Sequence, residues 1–391
     1  MVMVVEIVSK EFIKPTPPTP HHLRTHLLSF LDQFLPSIYV PMVLFYMDQE
    51  KSIPAATSNS RRSQLLKESL SETLTLFYPL VGRINDHLSI DYNDEGAYYI
   101  DARVNHPLRE FLNHIDSSYV SQVFLAEVTT FACGGISLGS FLSNIIFDEP
   151  AAITFISSWA ALTRKCGEEA GSPNFDSSFV FPQSVAYLRE ATFSAIFSPF
   201  LKKEICRSMR IAFDASATDL LKVKTTSSSV RDPTRVEVVS AVLCKCNMAT
   251  FKVKFGIQKV VPQFSKHSMG NFLCMEAALV RANETGLDNL VCHLRKVIRK
   301  VDGNFVTALQ GDGKEWNGEA GEIDFIGFTS WCNFGLYEID FGWGKPTWVT
   351  CTASTKSEAV FMNTIVLIDT KMENGIEACV FLEEQYMVML E

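Results

Sequence analysis

The chain has 391 residues, 47% of them apolar and 20% charged, with a formal net charge of -9. That length and apolar share allow a sizeable core, in two or three domains or in one large fold of two halves. The acidic balance argues against non-specific nucleic-acid binding, which depends on clustered Lys and Arg. No apolar run approaches the ~20 residues that cross a membrane.

Met1 to Lys10 form a short apolar stretch interrupted by Glu6. It is too short for a signal peptide's apolar region and lacks a basic lead-in. The expected location is therefore the cytoplasm, where the ten scattered cysteines stay as free thiols. Pro15, Pro17, Pro18 and Pro20 forbid a helix and predict an extended lead-in over residues 11–22. Residues 59–78 predict an amphipathic helix, with Leu65, Leu66, Leu70, Leu74 and Phe77 near helical spacing and Pro79 closing it. Over 119–147 a β-hairpin is predicted: Val123 to Phe131 goes out, Gly134-Gly135 turns, and Ile136 to Phe147 returns. Residues 150–164 predict a helix, with Pro150 in its first turn and Asp148 as its cap.

Gly, Pro, Ser and Phe in irregular order over 167–200 mark a crossover between two halves. Helices are predicted at 235–248 and at 286–301, the latter carrying Leu287, Leu290, Val291, Leu294 and Ile298. Strand-like runs follow at 347–354, 364–369 and 376–382. The strands do not alternate regularly with helices, so the class is α/β with mixed, largely antiparallel sheets. Arg295-Lys296 with Arg299-Lys300 reads as a solvated face.

Two segments invite a chemical reading. Ser143-Asn144-Ile145-Ile146-Phe147-Asp148 is a strand end followed by an acid that caps a helix. Such a corner either is ordinary chain reversal or exposes a side chain into a cleft. A histidine at position 144 would be a general base. Asn144 cannot be one, since its amide does not titrate near neutral pH, although it donates and accepts hydrogen bonds. Far downstream, Asp340-Phe341-Gly342-Trp343-Gly344-Lys345-Pro346 reads as a turn in which Trp343 is either core packing or pocket lining. Gly135-Ile136-Ser137-Leu138-Gly139 matches the serine-hydrolase pattern, which needs a helix directly after the serine. The residues after Gly139 read instead as a returning strand.

Together the two segments resemble the H-x-x-x-D and D-F-G-W-G motifs of the plant BAHD acyltransferases, in the branch that includes alkaloid acetyltransferases. Leu31-Asp32, Phe77-Tyr78-Pro79-Leu80-Val81-Gly82-Arg83, Met269-Gly270-Asn271 and Phe328-Thr329-Ser330-Trp331 fit the same family in the same order. The resemblance implies two similar domains with mixed β-sheets flanked by helices, a chloramphenicol acetyltransferase-like fold, and a channel at the domain interface. The divisions are an N-terminal domain over 1–180, a crossover segment over 181–205 and a shortened C-terminal domain over 206–391. It implies acyl-CoA as co-substrate, a small-molecule alcohol as acceptor, no bound cofactor or metal, and a monomer. Asp148 would orient the base rather than react. Asp340, Phe341, Gly342, Trp343 and Gly344 would be structural and shape the CoA side.

The chain departs from that pattern in three ways. Asn144 stands where the family has its catalytic histidine. Glu149 follows Asp148 where many members have glycine, and it is the candidate for a displaced base. Val253 to His267 is too short for the family's Asn-Leu-Arg strand and proline-rich loop, which leaves Asp340 without its arginine partner and the second sheet with an open edge. The expected function is transfer of an acyl group from acyl-CoA to a hydroxyl of a plant specialised metabolite, impaired at Asn144. The alternatives are an inactive paralogue that binds or regulates, and a lyase-type activity in the same pocket. Among the histidines only His267 falls near the expected channel.

Overall fold

Twelve strands build two six-stranded sheets in a computed structural model. It describes residues 3–35, 39–48, 55–85, 88–113, 123, 127–183, 200–203, 205–248, 253–260, 267–280, 286–299, 324–351, 361–372, 374–388 and 390. In chain order the strands are β1 Val5–Ile13, β2 Tyr39–Tyr46, β3 Ala97–Val104, β4 Val128–Phe131, β5 Ile136–Ser143, β6 Cys206–Phe213, β7 Val253–Val260, β8 Leu273–Val280, β9 Asp324–Ser330, β10 Trp348–Cys351, β11 Thr364–Asp369 and β12 Ile376–Glu383. The longer helices are α1 Ala55–Leu76, α2 Glu149–Thr163, α3 Ala215–Thr225, α4 Arg235–Met248 and α5 Leu287–Ile298.

The chain divides into two units, one formed by Met1–Glu190, Ser265–Asn271 and Gly335–Thr352, the other by Ala191–Phe264, Phe272–Phe334 and Ala353–Glu391. The first unit's sheet runs β1-β3-β4-β5-β2-β10, with only the β3–β4 pairing parallel. The second runs β6-β12-β11-β9-β7-β8, with β11–β9 and β9–β7 parallel. The mixed, mainly antiparallel sheets match the expected class.

In the first unit Val43, Phe45, Val104 and Phe131 pack with Leu108 and Phe111 into one apolar cluster. Helix α1 buries Leu66, Leu70 and Leu74, one side of the predicted helical stripe. It meets α2 through polar atoms as well, because the Trp159 indole donates to the Leu66 carbonyl at 3.1 Å and Ser69 Oγ lies 2.8 Å from Thr163 Oγ1. In α2 Ile153, Phe155, Ile156 and Trp159 are all buried, each such side chain stabilising by about 1.5–3 kcal/mol.

The second unit's core joins α4 (Val238, Val239, Leu243) and α5 (Leu290, Val291, Leu294, Val297) to sheet residues Ile326, Phe328, Ile365, Leu367 and Val380. Arg295 is not part of a solvated face. Its guanidinium reaches Glu237 on α4 at 2.6 Å and donates to the carbonyls of Arg231 and Asp232.

Three expectations change. Val5–Ile13 is a strand, which the sequence reading had left unassigned; its side chains are mostly exposed, as an edge strand allows. The hairpin is shorter than predicted. Its first strand begins at Val128, and the second stops at Ser143 because the amides of Ile146 and Phe147 bond back to the Ser143 carbonyl at 3.1 and 3.2 Å. Residues 253–260, expected to have lost their strand, form β7 between β8 and β9. Much of the expected crossover, residues 184–199, lies outside the described residues.

Candidate active site

The corner after β5 is built as its sequence suggests. Asn144, half-buried, opens a turn; Ile145, Ile146 and Phe147 are buried behind it. Asp148, 3% exposed, caps α2: its Oδ1 accepts from the Ala151 amide at 3.0 Å. Such a cap contributes about 1 kcal/mol. Glu149 is the first residue of α2, where the helix dipole favours an acid.

A third segment crosses this corner. The Asn271 side-chain amide donates to the carbonyls of Asn144 at 3.0 Å and Ile145 at 2.9 Å, and to Asp32 Oδ1 at 2.8 Å. Asp32 also accepts from the Asn271 main chain at 3.1 Å and from the Ser29 amide at 2.7 Å. Burial raises the Asp32 carboxyl to about 6, and the hydrogen bonds from Ser29 and Asn271 oppose that rise. The Gly270 carbonyl receives the Asp148 amide at 3.4 Å, from a backbone with φ +126° that favours glycine.

The downstream loop closes on itself. Asp340 Oδ1 accepts from the amides of Gly342 at 2.7 Å and Gly344 at 2.9 Å, and both glycines have positive φ. Asp340 is therefore not a carboxylate without partners: its own loop supplies the donors that the missing arginine was expected to supply. The Asp340 carbonyl in turn accepts from the Arg164 guanidinium at the end of α2. Phe341 is buried, stacked on Trp343 with centroids 5.8 Å apart and edge-on to Trp159 at 5.3 Å and Tyr46 at 6.0 Å. The Arg62 guanidinium lies 5.7 Å above the Trp343 ring, a cation–π contact. The Tyr46 hydroxyl, donating to the Ile339 carbonyl at 3.0 Å, has its pKa pushed up by burial and then by Asp340. The loop is a packed structural element. Helix α2 links it to the corner, with Asp148 at one end and Arg164 at the other. A helix of that length spans about 22 Å.

Ser137 is buried within β5 and is followed by strand, so the hydrolase pattern is a sheet segment. His267 packs on Gly171, where a Cβ would meet its ring at 2.4 Å. His26 lies edge-on to Phe175, and burial lowers its pKa to about 4. His87 and His114 lie outside the described residues. Among the described residues no cluster of His, Cys, Asp and Glu could hold a metal ion, and no helix is long and apolar enough to cross a membrane. The sequence reading missed Arg62, Tyr46, Trp159, Arg164 and the joint use of Asp32 with Asn271. No local signal marks any of these contacts.

This pair of mixed sheets, with a capped corner and a D-F-G-W-G loop fixed to one helix, defines a chloramphenicol acetyltransferase-like acyltransferase fold. The family model described as "Transferase family" matches residues 3–391, and the chain belongs to the plant BAHD acyltransferases, which take acyl-CoA as co-substrate. It is similar to limonoid 7-O-acetyltransferase of Citrus sinensis, 41% identical over 442 positions that cover 100% of this chain and 96% of the relative. Epi-neemfruitin B 7-O-acetyltransferase of Melia azedarach is 40% identical over 435 positions, covering 100% and 96%. Both spans exceed 391, so each relative holds stretches with no counterpart here. The crystal structure of vinorine synthase superposes with a TM-score of 0.79 at 29% identity, covering 99% of this chain and 96% of that one.

Proposed function

We propose that this chain binds an acyl-CoA and a hydroxyl-bearing plant metabolite, and that Asn144 occupies the position of the family's general base. The observation that carries the reading is the corner itself: Asp148 caps the helix and Asn271 Nδ2 reaches the carbonyls of Asn144 and Ile145, around a side chain that cannot take a proton. In the transfer the acceptor oxygen attacks the thioester carbonyl, the C–S bond breaks, an ester forms, and the acceptor's proton ends on the CoA thiol. With a base that proton leaves as attack occurs. Without one the step is slower by about 10²–10⁴-fold. The Asn144 amide retains the capacity to orient the acceptor by hydrogen bonding.

The limonoid 7-O-acetyltransferase and the epi-neemfruitin B 7-O-acetyltransferase favour acetyl as the donor group and a limonoid alcohol as the acceptor. The protein would work as a cytoplasmic monomer, with Glu149, next after the capping Asp148, available as a displaced base. A second reading follows from the same asparagine: a paralogue that keeps its ligand and does no chemistry. Calorimetry with acetyl-CoA, followed by product analysis with limonoid alcohols, separates the two. Binding with slow acetylation supports the transferase; binding without product supports the paralogue; absence of CoA-ester binding rejects both.

A further inference from the structure

Three dispersed segments meet within hydrogen-bonding distance at one point of the first unit: Ser29–Asp32, Asn144–Asp148 and Gly270–Asn271. Their hydrogen bonds link Asp32 to Asn271 and Asn271 to the corner. Asp32 Oδ1 accepts both N–H groups that fix Asn271, the main-chain amide at 3.1 Å and Nδ2 at 2.8 Å. Nδ2 then lies 3.0 and 2.9 Å from two successive carbonyls, those of Asn144 and Ile145. At the far side of the same turn the Gly270 carbonyl accepts the Asp148 amide. Asp32 and Asn271 are each 1% exposed.

We propose that Asp32 and Asn271 are positioning residues for the side chain at 144. The carboxylate orients the asparagine amide, and the amide holds the two carbonyls that set where the corner turns. A side chain's direction follows from its own backbone, so holding the Asn144 carbonyl, with the Ile145 carbonyl after it, fixes the peptide plane next to the Cα that carries the side chain at 144. A purely structural role would ask less of the sequence. No ion pair to Asp32 is present among the described residues, and a carboxylate in such a place costs stability unless its hydrogen bonds are complete. Retaining it makes sense where an acceptor must be fixed in direction as well as buried. An error of 1 Å in a reacting group costs about 10²-fold in rate, so modest loosening here is visible in turnover.

The inference rests on the proposed reading that residue 144 faces the reacting groups, and its test separates the two. Turnover and acetyl-CoA affinity are measured in the Asn144→His protein, with and without Asn271→Asp, which keeps the side chain's shape and removes its N–H donors. Asp32→Asn is the second variant should the first fail to fold. In parallel, hydrogen exchange is followed by mass spectrometry over residues 144–151 in the otherwise native chain. Positioning lowers kcat by about 10–100-fold, leaves the KM for acetyl-CoA within about twofold, and speeds exchange in that peptide while the remainder of the unit stays protected. A kcat unchanged by Asn271→Asp, or lost only in proportion to the folded fraction, overturns the proposal. If Asn144→His does not turn over at all, the acyl-transfer reading fails, and exchange alone decides: unchanged protection over 144–151 overturns the clamp.

Discussion

The corner at Asn144–Asp148 and the loop at Asp340–Lys345 sit at opposite ends of α2, and they differ in kind. The loop spends its functional groups on itself. Its carboxylate binds its own glycine amides and its aromatic rings fill the space between Tyr46, Trp159 and Arg62. The corner is held by its own Ser143 carbonyl and Asp148 cap and, in addition, by Asn271 from a distant segment. A motif whose residues are consumed in packing reports lineage. A motif held partly by a distant segment is one whose half-buried side chain can change without emptying the core, as the buried rings of the loop cannot. On the proposed reading, that is what Asn144 represents.

The sharpest way to break this contrast is to restore a base at the corner. Asn144→His is expected to raise CoA release by about 10²–10⁴-fold with little change in melting temperature, read by a thiol assay and calorimetry. The matching change in the loop should do the opposite. Phe341→Ala empties a fully packed site and is expected to cost about 3–5 kcal/mol in urea unfolding. Any residual turnover should fall only with the folded fraction.

A third prediction concerns the external scaffold. The folded Asp32 carboxyl keeps its proton up to about pH 6, whereas an ordinary aspartate gives it up near 3.8. Between those values the folded state holds more protons than the unfolded one, so stability falls as pH rises through the window, by at most about 3 kcal/mol. Asp32→Asn should flatten that slope in denaturant titrations at pH 4 and pH 6.5. The smallest effect belongs to the cap. Asp148→Ala should cost about 1 kcal/mol, since one N–H of α2 loses its acceptor.

Much of this was readable from local sequence. Asp148 and Pro150 mark the start of α2, the Leu287-to-Ile298 stripe gives α5, and the run 364–369 is a strand to the residue. β1 escaped because an edge strand with most side chains exposed, among them Glu6, Lys10 and Glu11, shows no clean alternation of apolar and polar residues. The fate of Asp340 was misread for a different reason. A missing arginine suggested an empty place, yet two glycine amides within four residues fill it. Contacts between Arg164 and Asp340, or Asn271 and Asn144, bridge 176 and 127 positions, and only the folded backbone brings them together.

The most direct measurement is CoA release from acetyl-CoA by the native protein and by Asn144→His, side by side, with acetyl-CoA affinity determined for each. Equal affinity is expected, with turnover at least about 10²-fold faster in the histidine variant. Native turnover equal to that of the variant would contradict it, as would a histidine variant that binds acetyl-CoA and stays inert with every alcohol offered.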